Sequence, residues 1–321
     1  MTSGHLDPGP EALAECESDP LPALRRAASA MPRQPHDATD AVTALADALY
    51  LRWYTGMGDD GQGQSFLPDP SDPPIHAASL LGAFRAAHAE AGRLDDGWLV
   101  VSTSPDGVIT AMRGEDARFL QPGQYLSLAR PGVPPAPGEL VAAVARLDRF
   151  DAERQLWWTF SRTPPTQPLG RVYLNPRPAT AARTLQHVTE ALTDARLSYQ
   201  LKCPVTPQAC RRTDAIVIYH DRERRDDAVR ALLARWSRID PLLDAREPPL
   251  TRTVAPGLAW ADDDTRPDYS FGQFRCQALA TAVLGAGRRW ASADLEGRVG
   301  ILVGGLRAAG IDAERPWLAA R

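Results

Sequence analysis

The chain has 321 residues, 44% of them hydrophobic, and a formal net charge of −4. That length supports a sizeable core in one large domain or two smaller ones. The mild acidity excludes a non-specific nucleic-acid binder, which needs a basic excess, and no apolar run approaches the roughly 20 residues of a membrane span.

Residues 1–37 are rich in Pro, Ala, Asp and Glu, and read as a mobile tail. Residues 40–56 predict a helix: Asp40 suits the N-cap, Val42, Leu45, Leu49 and Trp53 recur at helical spacing, and Gly56 ends it. Tyr50, Trp53 and Tyr54 make the end of this helix aromatic, which suits either core packing or a peptide-docking face. A Gly-, Asp- and Pro-rich loop follows over 57–74, then a second helix over 76–91 with Leu80, Leu81 and Phe84 inward. The period then shortens. Residues 98–104 and 108–113 flank Pro105-Asp106-Gly107 and read as a hairpin, and 125–129, 140–150 and 155–161 add strands.

The second half predicts a short strand at 171–175, a helix at 179–195, a strand at 197–202 and a buried β-branched strand at 215–219. An amphipathic helix covers 221–239, and 248–261 reads as irregular. Ser270 with Gln273 forms a capping box that opens a helix, and the last helix covers 294–309. Strands mixed with helices, without strict alternation, predict an α+β fold with a mixed or antiparallel sheet and flanking helices. The expected organisation is a tail at 1–37, an N-terminal helical and hairpin segment at 38–125, and a main domain at 126–321. The segment from 40 to 125 is either a separate domain or part of one body.

Cys16, Cys203, Cys210 and Cys276 contain no CxxC pair, and the six histidines show no HxxxH or HExxH spacing. No zinc site is expected, and without a phosphate-binding glycine motif no cofactor is either. The N-terminus lacks the basic and apolar regions of a signal peptide, so the expected location is cytoplasmic.

Lys202 is the only lysine; the other thirty-five Lys/Arg positions are arginine. GC-rich coding explains the arginines and leaves Lys202 as either a chance survivor or a required amine. Arginine cannot give up its proton near neutral pH, whereas a lysine among other cations can act as a base. Strand alternation puts Arg171, Tyr173 and Asn175 on one face, and Ser198, Gln200 and Lys202 on another shared face. Arg211, Arg212, Tyr219, Arg275 and the helix opened by Ser270 follow. Several arginines, two tyrosines and a helix N-terminus around one lysine suit a doubly charged anion, above all phosphate. Asp214 reads as a turn residue or an ion pair with Arg212, or as an acid. His220 reads as an exposed strand-end residue or a proton-transfer group.

Four stretches resemble the HopA class: Arg-Val-Tyr-Leu-Asn-Pro (171–176), Tyr-Gln-Leu-Lys (199–202), Arg-Arg-Thr-Asp-Ala-Ile-Val-Ile-Tyr (211–219) and Ser-Phe-Gly-Gln-Phe-Arg-Cys (270–276). Residues 49–54 resemble the helical segment upstream in that class, and the likeness covers roughly residues 40–290. The class is named for a plant-pathogen effector, recurs in bacterial peptide-biosynthesis clusters, and is similar to phosphothreonine lyases of the OspF and SpvC type. The resemblance implies a lyase-like domain over 126–321 that removes phosphate from phospho-Ser or phospho-Thr by β-elimination, leaving dehydroalanine or dehydrobutyrine. Carried over by position, it makes Lys202 the base, with Arg171, Arg212, Tyr219 and Arg275 on the phosphate. Tyr173 stands where the effectors carry their acid histidine; a water or His220 is the alternative. Asn175, Arg211, Asp214 and His220 would support these groups, and Tyr50 and Trp53 would hold the peptide. The Arg- and Ala-rich coding resembles that of a high-GC actinobacterium. In that setting the resemblance implies a phosphorylated ribosomal precursor peptide in lanthipeptide or thioamitide biosynthesis, and a separate Ser/Thr kinase as partner. Two other readings stand beside it. One is a non-catalytic subunit that binds the peptide and scaffolds the kinase; the other is Schiff-base chemistry at Lys202.

Overall fold

The computed structural model describes residues 19–32, 41–57, 79–90, 92–145, 147–263 and 269–320. They fall into two compact units, one drawn from 1–89 and 150–321, the other from 90–149. The upstream helices belong with the C-terminal half, and the hairpin region is an insertion between them.

In the first unit, α1 (Leu21–Ala30) lies inside the stretch read as a tail. Its buried face is Ala23, Leu24, Ala27 and Ala28, which is helically spaced but too alanine-rich to stand out as an apolar stripe. Residues 1–18 and the expected N-cap Asp40 lie outside the described residues. The helix expected at 40–56 is α2 (Ala41–Leu49), continued by a π-helical turn over Tyr50–Tyr54. The helix expected at 76–91 is shorter, α3 (Leu81–Ala87). Phe84 is buried, Leu80 and Leu81 pack partly against the core, and 76–78 lie outside the described residues.

The second unit is a five-stranded sheet: β1 (Leu94–Thr103), β2 (Ile109–Arg113), β3 (Asp116–Leu120), β4 (Tyr125–Ser127) and β5 (Leu140–Val144), in the order β3-β2-β1-β5-β4. Its antiparallel register puts Trp98, Val100, Ile109, Ala111, Leu120, Val141 and Ala143 on one buried side. The expected hairpin is β1–β2. The strand β3 adds a partner that its charged sequence hid.

The single strand expected over 140–150 is two. Its second part, β6 (Asp148–Asp151), joins a seven-stranded sheet with β7 (Leu156–Phe160), β8 (Leu169–Leu174), β9 (Tyr199–Pro204), β10 (Ile216–Asp221), β11 (Arg252–Ala255) and β12 (Leu258–Asp262). The order is β11-β12-β8-β10-β9-β7-β6. The pairings from β11 through β7 are antiparallel. The hairpin β11–β12 corrects the irregular reading of 248–261. Leu-Ala-Trp-Ala-Asp has no β-branched residue and only Trp260 to favour a strand, yet β12 is buried throughout.

Helices cover the sheet: α4 (Ala181–Asp194), α5 (Arg225–Leu233), α6 (Trp236–Ile239), α7 (Phe271–Ala286), α8 (Arg288–Ser292) and α9 (Leu295–Ala308). Alternation sorts the strands into two faces. One carries Val172, Leu174, Ile216, Ile218 and Leu201 and is closed by the α5 side, where Arg225 sits 4.0 Å over the Trp260 ring. The other carries Arg171, Tyr173, Tyr219, Lys202 and Trp158 and meets the start of α7, where Phe271 lies 6.3 Å from the Tyr173 ring. The expected capping box is present: Ser270 accepts from the Gln273 amide, and Gln273 reaches back to Ser270. No helix among the described residues is long and apolar enough to cross a membrane.

The π turn packs against the first turn of α7 at closest range. A Cβ at Gly272 would stand 2.4 Å from Tyr54 Cε1. Gly272→Ala is therefore expected to displace the Tyr54 ring and lower stability by about 1–3 kcal/mol, as overpacking does. Urea denaturation checks the loss. Gly285→Ala, where nothing lies within 4 Å, serves as the control.

Candidate active site

Lys202 pairs with Trp158 on one side and Val217 on the other, and Val217 pairs with Tyr173. The next row along the strands reads Phe160, Gln200, Tyr219, Arg171, Ala261. Directly opposed residues share a face, so the register alone gathers Lys202, Tyr219, Arg171 and Trp158. Trp158 and Tyr219 stack with ring centroids 5.9 Å apart. The Lys202 ammonium group is 5.8 Å from each ring, and the Arg171 guanidinium is 4.9 Å over Tyr219. Lys202 is half-buried and makes no hydrogen bond or ion pair among the described residues.

Two of the three candidate phosphate arginines already have carboxylate partners. Arg171 donates to Asp263 at 2.7 Å. Arg212 donates from Nε and Nη2 to the two oxygens of Asp214 at 2.7 and 2.9 Å, and from Nη2 to the Tyr50 hydroxyl at 2.9 Å. Tyr50 donates in turn to Asp214 at 3.2 Å. Burial alone would push the Asp214 carboxyl up. Arg212, its hydrogen bonds and the charge of Lys202 outweigh burial and hold it below the usual carboxylate range. The site thus holds three cations and two carboxylates, with one net positive charge rather than the bare cationic cluster expected. Among the described residues, Nη1 of Arg212 and Nε of Arg171 carry no hydrogen bond.

Tyr50 belongs to this site. Its ring stacks on Tyr54 at 5.4 Å, and its hydroxyl joins the Arg212–Asp214 pair. The π turn is clipped there by two bonds from Thr213, whose hydroxyl donates to the Tyr54 carbonyl at 2.7 Å and whose amide donates to the Thr55 carbonyl at 3.0 Å. Trp53, on the same turn, lines a groove on another side of it.

The remaining candidates fall elsewhere. Tyr173 shares the face but is only 2% exposed and sits two strands, about 10 Å, from Lys202. Burial pushes its phenol up to about 12, against the opposing pull of Arg171. It keeps its proton at neutral pH and has little tendency to give it up. Arg275 is fully buried and donates to the Pro316 and Leu318 carbonyls, so it ties down the C-terminal segment and does not join the cluster. His220, expected at an exposed strand end, is 1% exposed on the opposite face of the sheet, where its ring fills the space beside Gly170. Burial holds its imidazole below its ordinary range. Asn175 lies past the end of β8 and donates to the Arg246 carbonyl. Arg211 is exposed on a 3-10 turn just before Arg212.

Trp158 and Asp263 are site residues that sequence reasoning did not single out. Trp158 was legible as part of a strand, but only the register shows that it opposes Lys202. Asp263 follows β12, the strand with a weak signature, so nothing tied it to Arg171.

Two outcomes test these placements. Arg275→Met leaves three donor contacts to buried carbonyls unmade and is expected to cost about 3 kcal/mol of stability, read by urea denaturation. His220 is neutral when folded and free to protonate when unfolded, so the unfolded chain binds more protons as pH falls. Stability from this group is complete above about pH 6.5 and is lost as pH falls through and below that value. Thermal melts from about pH 7.5 to 5.5 are expected to show the decline, and His220→Asn to flatten it.

Residues 154–318 match the HopA1 effector protein family. Two solved structures resemble the chain. The effector protein from Pseudomonas syringae pv. tomato strain DC3000 is 13% identical, with 94% of this chain and 96% of that chain covered and a TM-score of 0.49. The effector protein from Pseudomonas syringae pv. syringae strain 61 is 19% identical, with 53% and 66% covered and a TM-score of 0.41. No curated protein matches. The match takes in Lys202, Arg171, Arg212, Asp214, Tyr219 and Trp158 but stops short of Tyr50, which comes from upstream. The chain belongs to the HopA1 effector protein family.

Proposed function

We propose that this protein is a phospho-Ser/Thr lyase acting on a phosphorylated peptide, with Lys202 as the base. The observation that carries the reading is the setting of the only lysine. It lies on the sheet face that gathers Arg171 and Tyr219, within the field of the Asp214 carboxylate that Arg212 holds, and it is left without a hydrogen-bond partner among the described residues while every neighbouring charge is engaged.

In the proposed reaction the neutral Lys202 amine removes the proton on Cα of the phosphorylated residue. The Cα–H electron pair becomes the second bond between Cα and Cβ, and the Cβ–O pair leaves with phosphate. The ammonium then left on Lys202 lies within the field of the Asp214 carboxylate. Arg171 and Arg212, each fixed by its carboxylate, keep N–H groups to meet the phosphate oxygens as charge grows there. Tyr219 and Trp158 form the floor under the amine. Phosphate leaves as a stable anion. A cluster that stabilises its charge makes a dedicated acid less important, which agrees with the burial of Tyr173. The finer reading is a precursor peptide of a lanthipeptide or thioamitide pathway, phosphorylated by a separate kinase.

The arginine–carboxylate pairs favour one competitor, a non-catalytic peptide-binding subunit, because part of the cationic charge is already matched. Mass spectrometry of a synthetic phosphopeptide incubated with the purified chain separates the two. Loss of one phosphoric acid is expected for the wild type, and a fall of about a thousandfold or more for Lys202→Ala and Lys202→Arg. Elimination at the wild-type rate by Lys202→Ala rejects the base assignment. Asp214→Asn is expected to lower kcat/KM about tenfold or more, because the fork of Arg212 loses the partner that orients it.

A further inference from the structure

On the side of the π turn away from Tyr50 lies an open groove of about 900 Å³. Its apolar lining includes Met31, Leu45, Leu49 and Pro249, and Gly56 and Thr213 also line it. Thr213 sits between Arg212 and Asp214 in sequence and clips the turn by its hydroxyl and amide. A single wall therefore separates groove from site. Tyr50 faces the site and Tyr54 packs between Tyr50 and Phe271, while Arg52 and Trp53 line the groove.

The rim is cationic in a chain whose net charge is −4. Arg25, Arg26, Arg52 and Arg246 line it, against one acid, Glu247. Glu247 is engaged by the Gly257 amide, and burial pushes its carboxyl up. Arg25 pairs with Glu296, and Arg246 with Asp244. Arg26 and Arg52 are exposed and, among the described residues, have neither an ion pair nor a hydrogen bond. The Trp53 indole N–H is also buried without an acceptor there. Two free guanidinium forks match carboxylates, and the apolar lining takes an aliphatic side chain.

We infer that this groove binds an acidic stretch of the peptide substrate, remote from the reacting residue. The inference rests on the peptide-lyase reading of the adjoining site. Binding energy gained there holds the peptide while its phosphorylated residue reaches Lys202 past the Arg212–Asp214 loop.

The test uses two short fluorescein-labelled, unphosphorylated peptides, one of Glu and Leu and one of Lys and Leu, titrated with the full chain by fluorescence anisotropy. The acidic probe is expected to bind in preference to the basic one. The double variant Arg26→Glu/Arg52→Glu is expected to weaken it about tenfold or more and to reverse the preference. Reversal cannot come from a misfolded variant. Trp53→Ala is expected to weaken the acidic probe as well. Failure of the acidic probe to bind, or equal binding by wild type and double variant, overturns the inference. A second arm compares a short phosphopeptide with the same peptide carrying an acidic or a Gly-Ser extension. The acidic extension is expected to raise kcat/KM about tenfold, and the ratio of extended to short is expected to fall towards one in the double variant. Anisotropy judges the groove and elimination judges the lyase reading, so the failure of either is read separately.

Discussion

A carboxylate that is 7% exposed keeps its charge only where donors replace the water it has lost. At Asp214 those donors are Arg212, two residues away, and Tyr50, from a helix that ends more than 150 residues earlier in the chain. Removing either leaves the other polar group short of a partner in a low-dielectric setting, so the three act as one unit. The unit fixes where the Arg212 fork points, holds the Thr213 loop against the π turn, and sets a negative charge near Lys202. Arg171 and Asp263 repeat the arrangement across the sheet. Both arginines are therefore held in place before any ligand arrives, and little reorganisation remains for binding.

The seven-stranded sheet is the frame for this arrangement. Its antiparallel register turns positions 171, 202, 219 and 158, spread over more than 60 residues of chain, into neighbours on one face. The helices seal the opposite face with aliphatic side chains, where His220 is held neutral by the same burial that removes it from the chemistry.

Strand alternation was enough to place Arg171 with Tyr173 and Gln200 with Lys202, and the β-branched run at 215–219 marked the central strand that joins them. The capping box at Ser270 was legible because it is a local pattern. What was hidden depended on contacts between distant segments. Alternation puts Tyr173 on the right face but cannot say that Phe271 and Tyr54 bury it. Arg275 read as a ligand because it follows the helix N-terminus capped by Ser270 and because the resemblance puts it on the phosphate. Its donors instead meet carbonyls from the chain's last residues, a long-range contact with no sequence signal. The aromatic helix end could be read as core or as docking face, and it divides: Tyr50 turns to the site, Tyr54 packs between Tyr50 and Phe271, and Trp53 lines the groove.

The π turn has a consequence for how this site tolerates changes in chain length. The Thr55 amide bonds to the Tyr50 carbonyl five residues back, at 2.9 Å, one residue more than an α-helix allows. A single-codon deletion within Leu51–Trp53 would close the turn to ordinary α-helical winding and leave the residues after it in phase. A single-codon insertion there meets a turn that already holds one extra residue, and would rotate everything after it by about 100° relative to what precedes. Tyr54 would then leave the α7 contact, and the Tyr54 and Thr55 carbonyls would swing away from Thr213. Point substitutions on the exposed side of this turn leave that phase intact, so lengthening is the class of genetic change to which this segment is least tolerant.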